Sequence, residues 1–236
     1  MKKDVSLYNE ACGWTIHPAH FGAKSRDEVA SDLWSAVQEH LILPLELVQD
    51  DPINVRVVTR KLTAREDAEW VAKIVGRLKI PDGVLVLEGG FDERSEKPDF
   101  IQIIEVPPGD YQVEVYTLFW GINGEYALRA AQQYEPVGTW FRRTHPGKKF
   151  PALLQLHLCE NSEEDPGHEA EWDDLYESDR FDDLEAPDVA DFIVRLSRWK
   201  EDVPLDLPEP KQGWFPIAMN VRKPDLCPIG LRFRED

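Results

Sequence analysis

The apolar positions of the chain fall mostly into short runs of period two, with fewer stretches near period 3.6, and proline or glycine marks most of the joints. Residues 5–21 mix Leu7, Cys12, Trp14 and Ile16 with polar residues and predict one or two short strands. Ser25-Arg-Asp-Glu28 is a capping box, in which the Ser hydroxyl and the Glu carboxylate satisfy each other's free backbone N–H groups. Val29, Leu33, Val37 and Leu41 follow at spacing four and predict an amphipathic helix over residues 26–40. Residues 53–62 read as a valine-rich strand. A second capping box, Thr63-Ala-Arg-Glu66, predicts a short helical turn over residues 64–69, and strict alternation over residues 70–80 predicts a strand.

Pro81-Asp-Gly83 is turn chemistry, since Pro fixes φ and Gly supplies a positive one, and residues 84–87 are expected to pair back as a hairpin. Residues 100–106, the turn Pro107-Pro-Gly-Asp110 and the alternating run 111–118 predict a second hairpin. Residues 126–134 fit either a strand or a short helix. Leu154, Leu156 and Leu158 alternate with Gln155, His157 and Cys159 in a predicted strand. Pro187 opens a predicted helix over residues 187–199, with Val189, Phe192, Ile193 and Leu196 on one face. Residues 214–221 and 229–233 read as terminal strands. The sum predicts a mainly β fold, a sandwich of antiparallel hairpins with two or three peripheral helices, in one domain over residues 1–236.

Composition adds one asymmetry. The formal net charge is -18, and residues 160–188 hold fourteen acids against one base, Arg180, leaving only -5 for the rest. Such a balance argues against phosphate-backbone binding, which needs Lys and Arg to displace counterions, and points to solubility or a basic partner. Trp172, Leu175, Tyr176, Phe181 and Leu184 interrupt the acids, whereas a purely solvating segment has few aromatics. An acidic insert studded with apolar anchors suits an interface in which carboxylates steer and aromatics fill pockets. Glu169, Trp172, Asp173, Asp174, Tyr176 and Asp179 are the residues expected to form it.

Little else points to chemistry. Cys12, Cys159 and Cys227 are widely spaced and read as isolated, mostly buried thiols, with His157 beside Cys159. His17-Pro-Ala-His20 has the spacing of a metal pair but no third ligand, and reads as turn histidines. No EF-hand loop, nucleophile elbow, zinc helix or phosphate loop occurs, so no cofactor, metal or catalytic residue is assigned. The cluster Arg142, Arg143, His145, Lys148 and Lys149 sits beside Trp140 and Phe141, which a nucleic-acid reading would use as stacking platforms; pairing with acids of the same fold fits the overall charge better. No apolar window is long enough to span a membrane and the first residues form no signal core, so a cytoplasmic location is expected.

The run from Gly76 to Leu87, followed by Val106-Pro-Pro-Gly-Asp-Tyr-Gln-Val-Glu-Val115, resembles a strand–turn–strand pattern of bacterial β-sandwich proteins of the competence nuclease-inhibitor and toxin-immunity type. The resemblance covers about forty residues and rests on turn-forming prolines and glycines. It implies a non-catalytic protein that binds and neutralises a basic partner such as a nuclease or another toxin. Two rival readings stay open: a metal-dependent or carboxylate-based hydrolase using His17, His20 and nearby acids, and a structural or regulatory protein with an incidental acidic loop.

Overall fold

The computed structural model describes residues 1–9, 12–48, 50, 52–90, 98–119, 121–133, 135, 137–148, 190–223 and 226. Among them, ten strands form two sheets. The first sheet has six strands in the order β1 (Lys2–Leu7), β4 (Ile53–Val58), β9 (Phe192–Arg198), β8 (Gly109–Leu118), β5 (Trp70–Ile80) and β10 (Asn220–Val221). The second has four: β3 (Leu43–Glu46), β2 (Gly13–Pro18), β6 (Val84–Gly89) and β7 (Ile101–Glu105). All neighbours are antiparallel except β4 and β9, which run parallel. The mainly β class is as the sequence predicts.

The interior lies between the sheets. Period-two alternation delivers Val55, Val57, Ile74, Leu78, Val113, Val115, Val194 and Leu196 from the first sheet onto Trp14, Ile16, Leu43, Leu45, Leu85 and Leu87 from the second, all of them buried in one apolar cluster. Gly76 marks a close approach: a Cβ there would lie 2.7 Å from Leu43 Cδ2 across the interior. Gly76→Ala is therefore expected to cost about 1–2 kcal/mol by overpacking, and less in the Leu43→Val background, as read from urea unfolding midpoints.

The two expected hairpins are one. β5 pairs with β8 from Trp70↔Leu118 to Ile80↔Gly109, and β6 pairs with β7 from Val84↔Glu105 to Glu88↔Ile101. The stretch from β5 to β8 is thus a single long hairpin, folded from one sheet into the other where both its arms bend. Pro81-Asp-Gly83 and residues 106–109 are the two bends, side by side, with Val106 N donating to Gly83 O at 2.8 Å. Gly83 has φ +74°, and a Cβ on it would meet Val106 O. Turn chemistry announces a change of direction and says nothing of which strand lies beyond it.

Five short helices occur among the described residues, more than the two or three expected. The predicted helix over residues 26–40 divides into α1 (Arg26–Ser31) and α2 (Leu33–Gln38) at Asp32, whose carboxylate accepts from Ser35 N at 3.0 Å and so caps a new helix. α3 (Ala64–Glu69) starts on its capping box as expected, with Glu66 accepting from Thr63 N at 2.7 Å. Residues 122–131 are helical (α4, Ile122–Ala131), which settles the ambiguous stretch, and α5 (Val137–Thr144) follows.

Two expectations are overturned. Residues 192–198 are not helical: they form the parallel-paired strand β9, with Phe192, Val194 and Leu196 facing the interior and Ile193 buried on the opposite face with Val58, Tyr116 and Leu118. A strand covered on both faces shows a near-continuous apolar run, which also places residues at helical spacing. Residues 214–221 contribute only the two-residue β10, preceded by isolated bridges such as Leu45↔Phe215. The strands predicted over 150–159 and 229–233 lie outside the described residues.

Candidate functional site

All six residues of the expected interface, Glu169, Trp172, Asp173, Asp174, Tyr176 and Asp179, lie outside the described residues, as do Cys159, His157 and Cys227. What the described residues assemble is a pocket of about 370 Å3 on the outer face of the four-stranded sheet, lined by His17, His20, Phe21, Lys24, Arg26, Val86, Glu88, Ile101 and Ile103, among others.

Register builds its floor. The pairs His17↔Val86 and Val86↔Ile103 form one row across β2, β6 and β7, and Thr15↔Glu88 and Glu88↔Ile101 form the next, all pointing away from the interior because their neighbours Ile16 and Leu87 point into it. The connection from β2 to α1 folds back over this face. Ala19 N donates to Val84 O at 3.0 Å, Gly22 takes φ +69°, and the Phe21 ring lies 5.1 Å from the His17 ring. Arg26, the first residue of α1, then reaches down to the sheet.

Glu88 is the keystone. Its side chain is 2% exposed, and its two oxygens accept from Arg26 Nη1 and Nη2, each at 2.8 Å, in a bidentate pair. Oε2 also lies 3.1 Å from His17 Nε2. Burial pushes the carboxyl up, but the hydrogen bonds from His17 and Arg26 outweigh it and hold Glu88 below its ordinary value. His17 Nδ1 lies 2.7 Å from the Pro18 carbonyl, which only accepts. Both ring nitrogens thus face oxygen atoms, which fixes the orientation of the imidazole between Pro18 and Glu88.

His17 is therefore a strand residue under Phe21 and not a turn histidine, while His20 lies exposed in the loop beyond it. A hydrolytic centre would need His17 or His20 beside two carboxylates; the described residues of the pocket bring it one, already engaged by Arg26. Among the described residues, no three His, Cys, Asp or Glu side chains gather as a metal site. Cys12, expected to be buried, is exposed, and such burial as it has, with the nearby Asp50 carboxylate, pushes its thiol up, away from the thiolate a nucleophile needs.

Trp140 and Phe141 are buried in the main cluster, and the His145 ring stacks on Phe141 at 4.7 Å, so neither aromatic is open to a nucleic-acid base. Arg143 pairs with Glu135 at 2.8 Å, as a fold-internal role for the basic cluster requires. Sequence reasoning did not single out Glu88 or Arg26. Glu88 stands 71 residues from His17 and 62 from Arg26, and its one signal is an acid closing the apolar run Val84-Leu-Val-Leu87.

No protein-family model and no curated protein matches the sequence. Solved structures to which the chain is similar include one described as crocagin biosynthetic gene J, at 14% identity and a TM-score of 0.43, covering 85% of this chain and 98% of that one. Another is ComJ from Bacillus subtilis, described as an inhibitor of the DNA-degrading activity of NucA, at 15% identity and a TM-score of 0.31, covering 49% of this chain and 81% of that one. No helix among the described residues is long and apolar enough to cross a membrane.

Proposed function

We propose that the protein is a non-catalytic binding protein of the inhibitor or immunity type, acting on a basic partner such as a nuclease through residues 160–188. One observation carries this reading: thirteen of the eighteen net negative charges sit in that segment, interleaved with five large apolar residues. Carboxylates in such a field speed encounter with a cationic surface, and Trp172 and Tyr176 supply anchors of the kind that dominate binding energy. A nuclease fits because its substrate cleft must itself be basic. The reading rests on this charge distribution and not on the likeness to ComJ, although the role described for ComJ is of the same kind.

The test is affinity capture from a lysate of the source cells with the tagged full-length chain, repeated with a variant carrying Glu169→Gln, Asp173→Asn, Asp174→Asn and Asp179→Asn. A basic protein should be held by the wild type at low salt, released as ionic strength shortens the Debye length below about 5 Å, and absent from the variant. If the captured protein nuclease activity falls on adding the wild-type chain, the inhibitor class stands. Retention of the same protein by the variant, or by a chain lacking residues 162–183, overturns the assigned interface.

A further inference from the structure

We propose that the pocket between β2, β6, β7 and the 19–26 loop binds a small organic carboxylate with an aromatic or branched aliphatic body, a site independent of the acidic interface. Its size, about 370 Å3, is that of a small-ligand site, within the usual range of about 300–1,000 Å3. Its walls divide by chemistry. Val86, Ile101 and Ile103 form one continuous apolar side across the β6–β7 pair, and Ile103 is 59% exposed at its rim. A lone exposed isoleucine is ordinary, but one that extends a buried apolar row into a cavity offers that row to a ligand.

The polar side presents donors. Among the described residues, the lining includes the cations Lys24 and Arg26, the histidines His17 and His20, and the carboxylate Glu88. That carboxylate is sealed beneath Arg26 and His17, so it offers an incoming anion little repulsion. Lys24 is half-buried and pairs at 2.7 Å with Glu39, whose side chain is about half exposed; such a surface pair is worth little and is readily exchanged for a ligand carboxylate. His20 is exposed beside it. Arg26 and His17 are held by Glu88, so Lys24 is the cation that the cavity can offer an anionic head, across from the apolar wall of Val86, Ile101 and Ile103.

Isothermal titration of the full-length protein with phenylacetate and with its neutral counterpart phenylacetamide tests this directly. The acid is expected to bind about ten-fold more tightly than the amide, and Ile103→Glu, at an exposed position that leaves the melting curve in place, to weaken the acid by about ten-fold or more. Lys24→Met should shrink the preference for acid over amide to within about three-fold while leaving the amide unchanged. Equal affinity for the two compounds, binding that survives Ile103→Glu, or no binding of the acid up to tens of millimolar overturns the proposal. None of these results bears on capture of a basic partner by residues 160–188.

Discussion

Replacing Glu88 by alanine is expected to lower the stability of the protein by about 3 kcal/mol, one of the two largest effects anticipated for a single side chain. The reason is asymmetry. The substitution strands His17, which is 4% exposed and faces the Pro18 carbonyl on its other side, and frees the Arg26 guanidinium that pins the start of α1 to β6. Removing one partner of a buried pair leaves the other desolvated without compensation, whereas removing both need not. Arg26 is 25% exposed and can recover some hydration, which keeps the expected loss at the lower end of the range for buried pairs. For a chain of this length the melting temperature should fall by about 6–12 °C.

The double variant separates this explanation from simple loss of packing. Arg26→Met with Glu88→Ala is expected to be more stable than the sum of the single effects by about 1–2 kcal/mol, because the cation no longer waits for its partner. Native-state hydrogen exchange should show amides of residues 19–26 opening first in Glu88→Ala, since that loop owes its attachment to the Arg26 contact and the Ala19–Val84 bond. A loss below about 1 kcal/mol, or strict additivity in the double variant, would sink the keystone role.

Local chemistry was legible in the sequence, and assembly across the chain was not. Both capping boxes form as the Ser/Thr-x-x-Glu spacing requires, and the alternation over residues 70–80 is strand β5 to the residue. These features are decided by neighbours within a few positions. The corner at residues 81–83 is equally clear as a turn, yet whether it closes a hairpin or carries a strand to a second sheet depends on the pairing of residues twenty or more positions away. β9 was misread for a related reason: burial of Ile193 against Tyr116 and Val58 erased the polar face that would have marked a strand.

The same limit applies to the pocket. His17 was noticed for its spacing to His20, but its chemistry is set by Glu88 and Arg26, which reach it through strand register and a folded-back loop. Charge tells a consistent story on the other sheet. Along the outer face of the six-stranded sheet, Arg56 pairs with Asp4 and Glu66, Arg195 with Glu114, and Arg77 with Asp110. These cations are spent on acids of the same face. The excess that defines the molecule therefore resides in residues 160–188, where partner binding is proposed, while the four-stranded sheet carries the pocket around His17, Arg26 and Glu88.

Glu66 carries the second large effect, and its signature is a dependence on pH. Burial pushes this carboxyl up, but bidentate donation from Arg60 at 2.6 and 2.7 Å and from Thr63 N at 2.7 Å prevails and brings it down to about 2. A carboxylate whose folded value is depressed contributes stability that is fully present above its unfolded value, about 4.5, and is lost as pH falls through about 2. The shift corresponds to about 3 kcal/mol at neutral pH, reduced to about 2–3 because Arg60 is partly open to solvent. Glu66→Gln keeps an acceptor for Thr63 N and so isolates the charge. In urea unfolding, the gap between wild type and Glu66→Gln should hold from pH 7 to about pH 5 and close progressively as pH falls from about 4.5 through about 2, below which both chains carry a neutral side chain. Other carboxylates titrate alike in both chains and drop out of the difference. A gap that stays constant down to pH 2.5 would mean that Glu66 acts through packing and the helix cap alone, and one that widens would reverse the sign of its coupling to Arg60.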